Sequence, residues 1–257
     1  MPDPLGDISY TWPFWAAAAI GYLLGTIPFG VILTRLAGAG DLRAIGSGNI
    51  GATNVLRTGR KGLAAATLVL DAAKAIVPVV LADRWLTPDF ALLVGGGAFV
   101  GHLFPVWLGF GDRAQARRSL LALAAIVAAF VLAFSDGPIP MALGGLLAAA
   151  AAYRGAWGGK GVATGLGALL AISFPVGIAA CATWLAAAGL FRYSSLAAVL
   201  AFAAAPAFAW YLGEMPRTHT GFALFLALLV VVRHESNLRR LIKGEEPKIG
   251  RKRDPAA

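Results

Sequence analysis

The residues best equipped for chemistry lie in one polar stretch, Gly46-Ser-Gly-Asn-Ile-Gly-Ala-Thr-Asn-Val-Leu-Arg57, set between long apolar runs. Gly46, Gly48 and Gly51 let backbone amides approach a ligand closely. Successive N–H groups in such a loop, or at the start of the next helix, form a concave anion site. Ser47, Asn49, Thr53 and Asn54 add hydrogen-bonding groups, and Arg57 adds a forked, permanent charge. The competing reading is a glycine-rich turn whose polar residues simply face water.

Three further stretches carry related chemistry. Gly158-Gly-Lys-Gly161 sets Lys160 among Gly158, Gly159 and Gly161, where the ammonium either binds an anion or snorkels to the membrane interface. Arg192-Tyr-Ser-Ser-Leu196 contributes Arg192 and Ser195. His234 and Asn237 lie three apart on a presumed helix, so they either face one ligand or cap a membrane-proximal helix end. Amides, Arg, Lys, hydroxyls and an imidazole are anion binders, and a point charge beside a fork suits phosphate.

A covalent or nucleotide-driven mechanism has no support. Five residues after His102, His219 and His234 come Trp107, Leu224 and Arg239, so no His-x-x-x-x-Asp occurs. There is no Gly-x-Ser-x-Gly elbow. The lysine of Gly158-Gly-Lys-Gly161 is not followed by Ser or Thr, which argues against an ATP-binding P-loop. The one cysteine, Cys181, lies in an apolar run, where it reads as a small core residue. No metal or cofactor is expected.

The elements that must position these groups are membrane helices. The 257 residues are 58% hydrophobic and only 14% charged, which marks an integral membrane protein. The residues up to Trp12 carry Asp3 and Asp7 and no Lys or Arg, unlike the basic start of a cleavable signal peptide. The first apolar run is therefore expected to remain as a span. Nine apolar passes are legible, near 13–36, 63–81, 90–110, 120–134, 139–153, 162–174, 175–191, 192–212 and 221–232. Pro28 should kink the first, and Asp71 and Lys74, three apart, share a face of the second. Ser-Asp-Gly-Pro at 135–138 turns the fourth into the fifth, a helical hairpin. Leu238, Leu241 and Ile242 suggest a short interfacial helix in the tail.

The formal charge of +9 follows the membrane rather than a nucleic acid. With the N-terminus outside, Arg84 and Arg217 fall outside, Lys74 lies within a span, and every other Lys and Arg falls on the cytoplasmic side or in the tail. That topology puts Ser47, Arg57, Lys160, Arg192, His234 and Asn237 on one side, where a single site could gather them.

The polar stretch, together with Gly101-His-Leu-Phe-Pro105, Gly158-Gly-Lys-Gly-Val-Ala-Thr164, Arg192-Tyr-Ser-Ser-Leu196 and the tail from His234 to Ile249, resembles the PlsY family of bacterial acyl-phosphate:glycerol-3-phosphate acyltransferases. The resemblance implies an all-α, polytopic helix bundle in the inner membrane, with its active site and C-terminus cytoplasmic. It implies transfer of a fatty acyl group from acyl phosphate to the 1-hydroxyl of glycerol 3-phosphate, giving lysophosphatidic acid and phosphate. Carried over by motif, Ser47, Arg57, Lys160, His234 and Asn237 are the catalytic set. Gly46, Gly48, Asn49, Gly51, Thr53, Asn54, His102, Gly158, Gly159, Gly161, Arg192 and Ser195 are expected to bind substrate. The family is thought to dispense with a protein nucleophile, a substrate phosphate helping to deprotonate the attacking hydroxyl.

Two departures stand out. Residues 111–157 intervene where the family normally has only a few residues, so one domain of seven spans gains a two-helix hairpin and becomes nine. Ala198 stands where a further serine is expected. Two other functions compete: a transporter or channel for a phosphorylated solute, which the intramembrane Asp71 and Lys74 permit, and a non-catalytic membrane scaffold.

Overall fold

Proline and glycine decide where the apolar runs break and which of them touch. The computed structural model describes residues 8–109 and 158–250; the hairpin expected within 111–157 and the last basic residues of the tail lie outside them. Among the described residues every regular element is helical: α1 (Ile8–Gly25), α2 (Phe29–Leu36), α3 (Ala52–Leu56), α4 (Lys61–Trp85), α5 (Pro88–Leu103), α6 (Val162–Ile172), α7 (Phe174–Phe191), α8 (Ser194–Leu212), α9 (Pro216–Arg233) and α10 (Glu235–Ile242). Pro28 separates α1 from α2, because a proline ring leaves the preceding turn without a donor. Pro216 opens α9 at its first turn, where the missing N–H costs nothing.

Four of these stretches, Ser9–Leu36, Lys61–Trp85, Phe174–Phe191 and Ser194–Leu212, are long and apolar enough to cross a membrane; α9 and α10 pass the same test only when taken together, and they are bent by 59° to each other. Their outward faces are apolar: Leu68, Val69, Val77, Ile178 and Leu185 are all exposed. Such surface is a liability in water and the natural one against lipid tails.

Boundaries shift from the sequence expectation for local reasons. α4 runs on through Asp83 and Arg84 to Trp85, so the polar turn shrinks to its last residues. The pass expected at 162–174 is met by the 11-residue α6, which stops at Ser173. Pro175 sits in the first turn of α7 and has no N–H to offer the Ala171 carbonyl four residues back, so the ladder of α6 does not run on into α7. At 1.5 Å per residue α6 rises about 16 Å, roughly half a bilayer's apolar thickness. In the tail, α10 forms where an interfacial helix was expected, with Leu238 and Leu241 half-buried and Ile242 exposed.

Inside the bundle, glycine sets the spacing. Gly21 and Gly25 of α1 meet the backbone of Val94 and Ala98 on α5, and Gly97 and Gly101 of α5 meet the backbone of Ala18 and Tyr22 on α1. Both helices therefore present glycines four residues apart to each other, the small-residue contact of membrane helices. Phe99, Phe202, Phe222 and Leu226 fill the centre between α5, α8 and α9. One polar cluster interrupts it. Lys74 Nζ lies 3.0 Å from Asp71 Oδ1 and donates to the Ile27 carbonyl at 3.0 Å, while His102 Nδ1 lies 3.6 Å from the same Asp71 oxygen.

Replacing Gly21 or Gly101 with Leu should part α1 from α5 and cost about 1–3 kcal/mol or more. A thermal melt in detergent checks this, with Gly189→Ala as control, since nothing lies within 4 Å of a Cβ there.

Candidate active site

Asn54 holds the first polar stretch in shape. It is 2% exposed, and its Nδ2 donates to the carbonyls of Leu42 at 3.0 Å and Ile45 at 2.9 Å. Its Oδ1 accepts from Ser47 N at 3.2 Å, Ser47 Oγ at 3.4 Å and Arg57 Nη1 at 3.4 Å. One amide side chain therefore gathers Ser47 and Arg57 from either side. Leu42, Ile50 and Val55 pin the stretch beneath, all fully buried.

The glycines make the turn possible. Gly46 has φ 58° and Gly48 φ 69°, left-handed conformations that other residues adopt at a cost. Gly51 caps α3 and its N–H reaches Asn49 Oδ1 at 3.3 Å. Thr53 Oγ1 lies 3.4 Å from Ser194 Oγ, tying the stretch to the start of α8. Ser47 and Arg57 themselves remain exposed at the surface of the fold.

The second stretch is ordered by different contacts. Arg233 grips it through Nη2 to the carbonyls of Gly158 and Gly159, both at 3.0 Å, and through Nε to Gly159 at 3.2 Å. Gly159 N–H donates to the His102 carbonyl at 3.0 Å. A Cβ on Gly158 would meet Leu103 and Pro105, on Gly159 the His102 ring, and on Gly161 the Phe99 ring. Packing against the end of α5 thus accounts for these three glycines. His102 is 3% exposed and sits behind Gly159 among the helices.

Lys160, next in the chain, turns to the tail. Its ammonium bonds Asn237 Oδ1. Asn237 Nδ2 donates to Glu246 Oε1 at 2.6 Å, and Ser195 Oγ donates to the same oxygen at 2.7 Å. Arg240 Nε completes the set at 2.8 Å from Glu246 Oε2. A bonded network therefore joins Lys160, Asn237, Glu246, Ser195 and Arg240. His234, one turn before Asn237, is 2% exposed and places Nδ1 at 2.8 Å from the Val230 carbonyl. A ring nitrogen facing a carbonyl must carry the proton, which leaves Nε2 as an acceptor. Arg192 serves a different contact: it takes the left-handed φ of 62° and exchanges hydrogen bonds with Ile249, Ile249 N to its carbonyl at 2.7 Å and its Nη2 to Ile249 O at 3.2 Å.

The electrostatics favour an anion. Burial pushes Lys160 down to about 8; Glu246 opposes the shift, and Arg233, Arg240 and Arg57 add to it. Arg57 has the smallest of these effects, an electrostatic link between the first stretch and the second. Burial pushes Glu246 up, yet hydrogen bonds from Asn237, Ser195 and Arg240 hold it below the ordinary glutamate value. Lys160 therefore feels three further cations, Arg233, Arg240 and Arg57, and one carboxylate, Glu246.

Glu246, Arg233 and Arg240 are the parts the sequence reading did not single out. A carboxylate is the wrong sign for an anion site, so Glu246 in Gly244-Glu-Glu-Pro247 counts in the sequence only as part of the tail motif, with no role of its own. The available signal was an acidic residue before a proline, set in an otherwise basic tail.

Comparison with known proteins agrees across the chain. The family model for glycerol-3-phosphate acyltransferase matches residues 15–135 and 119–244. A glycerol-3-phosphate acyltransferase of Caulobacter vibrioides (strain NA1000 / CB15N) is 50% identical over 236 residues, covering 91% of this chain and 86% of that protein. One from Rhodospirillum rubrum is 48% identical over 263 residues, covering 98% of this chain and 100% of its own. The crystal structure of PlsY (YgiH), an integral membrane glycerol 3-phosphate acyltransferase, in its glycerol 3-phosphate form superposes with a TM-score of 0.70 at 28% identity, covering 93% of this chain and 96% of that one. Its lysophosphatidic acid form gives 0.67 at 26% identity, with the same coverage. A helical, membrane-spanning chain matched along most of its length in sequence and in fold belongs to the glycerol-3-phosphate acyltransferase family.

Proposed function

We propose that the chain transfers a fatty acyl group from an acyl phosphate to the 1-hydroxyl of glycerol 3-phosphate. Acyl transfer to glycerol 3-phosphate is the activity of the family; the acyl-phosphate donor is the further step. The observation that carries it is the convergence of Arg57, Lys160, Asn237 and Ser195, from four separate parts of the chain, on one positively charged corner.

In this reading Lys160 and Arg57 bind the phosphates of the two substrates, and Asn237 and Ser195 orient them. Gly46, Gly48, Asn49, Gly51 and Thr53 shape the loop that presents Ser47 to the substrate. The hydroxyl oxygen of glycerol 3-phosphate attacks the acyl carbonyl carbon, and the bond from that carbon to the phosphate oxygen breaks. The departing phosphate takes the hydroxyl proton, and lysophosphatidic acid and inorganic phosphate leave. His234 Nε2 is an acceptor for a substrate hydroxyl. Holding two anions together and stabilising the developing oxyanion supplies the rate.

The same reading puts the N-terminus outside, the site and tail at the cytoplasmic face of the inner membrane, and nine spans in one domain, two of them from 111–157. The acyl tail then stays in lipid while the headgroup enters the charged corner. A transporter needs its site near the midplane, whereas these groups lie at helix ends and in loops.

Purified protein given acyl phosphate and glycerol 3-phosphate should release lysophosphatidic acid and phosphate; folded protein without turnover rejects the function. Arg57→Ala and Lys160→Ala should each lower kcat/KM by about 10²–10³ with little change in melting temperature. The pH dependence has a definite sign. Lys160 binds phosphate only when protonated, and its value near 8 means the charge is lost as pH rises through 8. So kcat/KM should fall by about tenfold per pH unit above that point, and Lys160→Arg should flatten the fall in whatever activity it retains.

A further inference from the structure

The bundle contains one polar cluster that the chemistry above does not use. Asp71 and Lys74 on α4 and His102 on α5 are 2%, 7% and 3% exposed, deep among apolar helices. Burying charge there is costly, and apolar residues of similar volume pack a helix interface at least as well. Stability alone therefore gives no reason for the three. Nor is the cluster fully satisfied: His102 Nδ1 is buried without a hydrogen-bond partner, its 3.6 Å approach to Asp71 falling short of one. Of the five buried side-chain polar atoms without a hydrogen-bond partner among the described residues, two, His102 Nδ1 and Asp71 Oδ1, fall in this cluster, and a buried orphan points to a role.

Tracing the contacts outward gives that role. On one side, Lys74 Nζ donates to the Ile27 carbonyl at 3.0 Å, in the break between α1 and α2. From there α2 runs directly onto the loop: a Cβ at Gly30 would meet the Ile50 carbonyl, the residue before Gly51. On the other side, the ring of His102 abuts Gly159, and its carbonyl accepts the Gly159 N–H at 3.0 Å. The backbone of Asp71 accepts from Thr164 Oγ1 at 2.8 Å. Gly159 and Thr164 flank Lys160. The cluster therefore touches the chain on both sides of Lys160 and also the element that carries the loop bearing Ser47 and Arg57.

We infer that Asp71, Lys74 and His102 are positioning residues for the acyl transfer, a buried brace that fixes Lys160 relative to the 46–57 loop. The inference rests on the acyltransferase reading above. None of the three touches substrate; His102, expected from the sequence to bind it, acts from behind Gly159. Holding the two halves in register matters because a displacement of about 1 Å between catalytic groups costs about 100-fold in rate.

The test uses full-length protein in detergent or bilayer. Asp71→Asn combined with Lys74→Met removes both charges together, so no lone buried ion is left to unfold the bundle. The brace predicts a melting temperature close to wild type with kcat/KM lowered about 10- to 100-fold. Lys74→Arg, which keeps a donor for Asp71 and Ile27, should recover most of that loss. His102→Gln leaves the ion pair intact and should also lower kcat/KM without loss of stability. Wild-type kcat and KM in the folded double variant overturn the inference. If the double variant does not fold, unchanged kinetics in His102→Gln overturn it alone. Calorimetric titration of glycerol 3-phosphate gives a readout besides turnover: weaker binding in the variants supports the brace and equal binding counts against it. Wild-type protein that binds but does not turn over rejects the acyltransferase reading instead.

Discussion

Cations cannot be crowded into one corner of a protein without a counter-charge, and Glu246 supplies it. Its two oxygens take hydrogen bonds from Asn237, Ser195 and Arg240, and its charge opposes the burial that would strip Lys160 of its proton. Lys160 feels that one carboxylate together with Arg57, Arg233 and Arg240, surroundings rich in the cations that an anionic substrate needs. Glu246 also keeps the corner from flying apart when empty. Removing a carboxylate that several buried donors share leaves all of them unpaired, which costs more than the pairs were worth. Asn237 depends on this arrangement most directly, because the bond from Nδ2 to Glu246 turns its Oδ1 toward Lys160.

Around that corner the helices do two jobs with different residues. Glycines let α1 and α5 touch backbone to backbone, which packs a bundle without the hydrophobic force that water would supply. Several polar side chains in the interior or at helix ends are held by a backbone carbonyl. Lys74 at Ile27, Tyr22 at Phe104 and Arg233 at Gly158 and Gly159 are examples. Each of these long bonds also fixes where a neighbouring segment begins, so fold and site share the same contacts.

The sequence disclosed the helical membrane architecture, because composition and long apolar runs are properties of a single chain. It also disclosed which segments carry polar groups, and that Asp71 and Lys74 share a face, because i,i+3 spacing is local. It did not disclose what each group bonds. Asn54 reads from the sequence as a ligand to phosphate or as a polar residue facing water, and its bonds to Leu42, Ile45, Ser47 and Arg57 become visible only once the chain is folded. Gly158, Gly159 and Gly161 look like a phosphate cradle by composition, while their neighbours in space are Pro105, His102 and Phe99 from the end of α5. The length of α6 was hidden for another reason: apolar sequence continues through Ser173 into α7, and only the proline at 175 marks the break.

The tail threads back after α10 so that Ile249 pairs with Arg192 and Glu246 reaches Ser195. The corner is therefore closed by some of the last residues described, acting on Arg192 and Ser195 at the start of α8. Glu246 follows every described membrane helix in the chain, so each of them is synthesised before the counter-charge. Until it docks, the positive residues at that end of the bundle lack their carboxylate. Completion of the reactive corner thus waits on a segment made after α9 and α10, whose docking is a step distinct from packing the bundle.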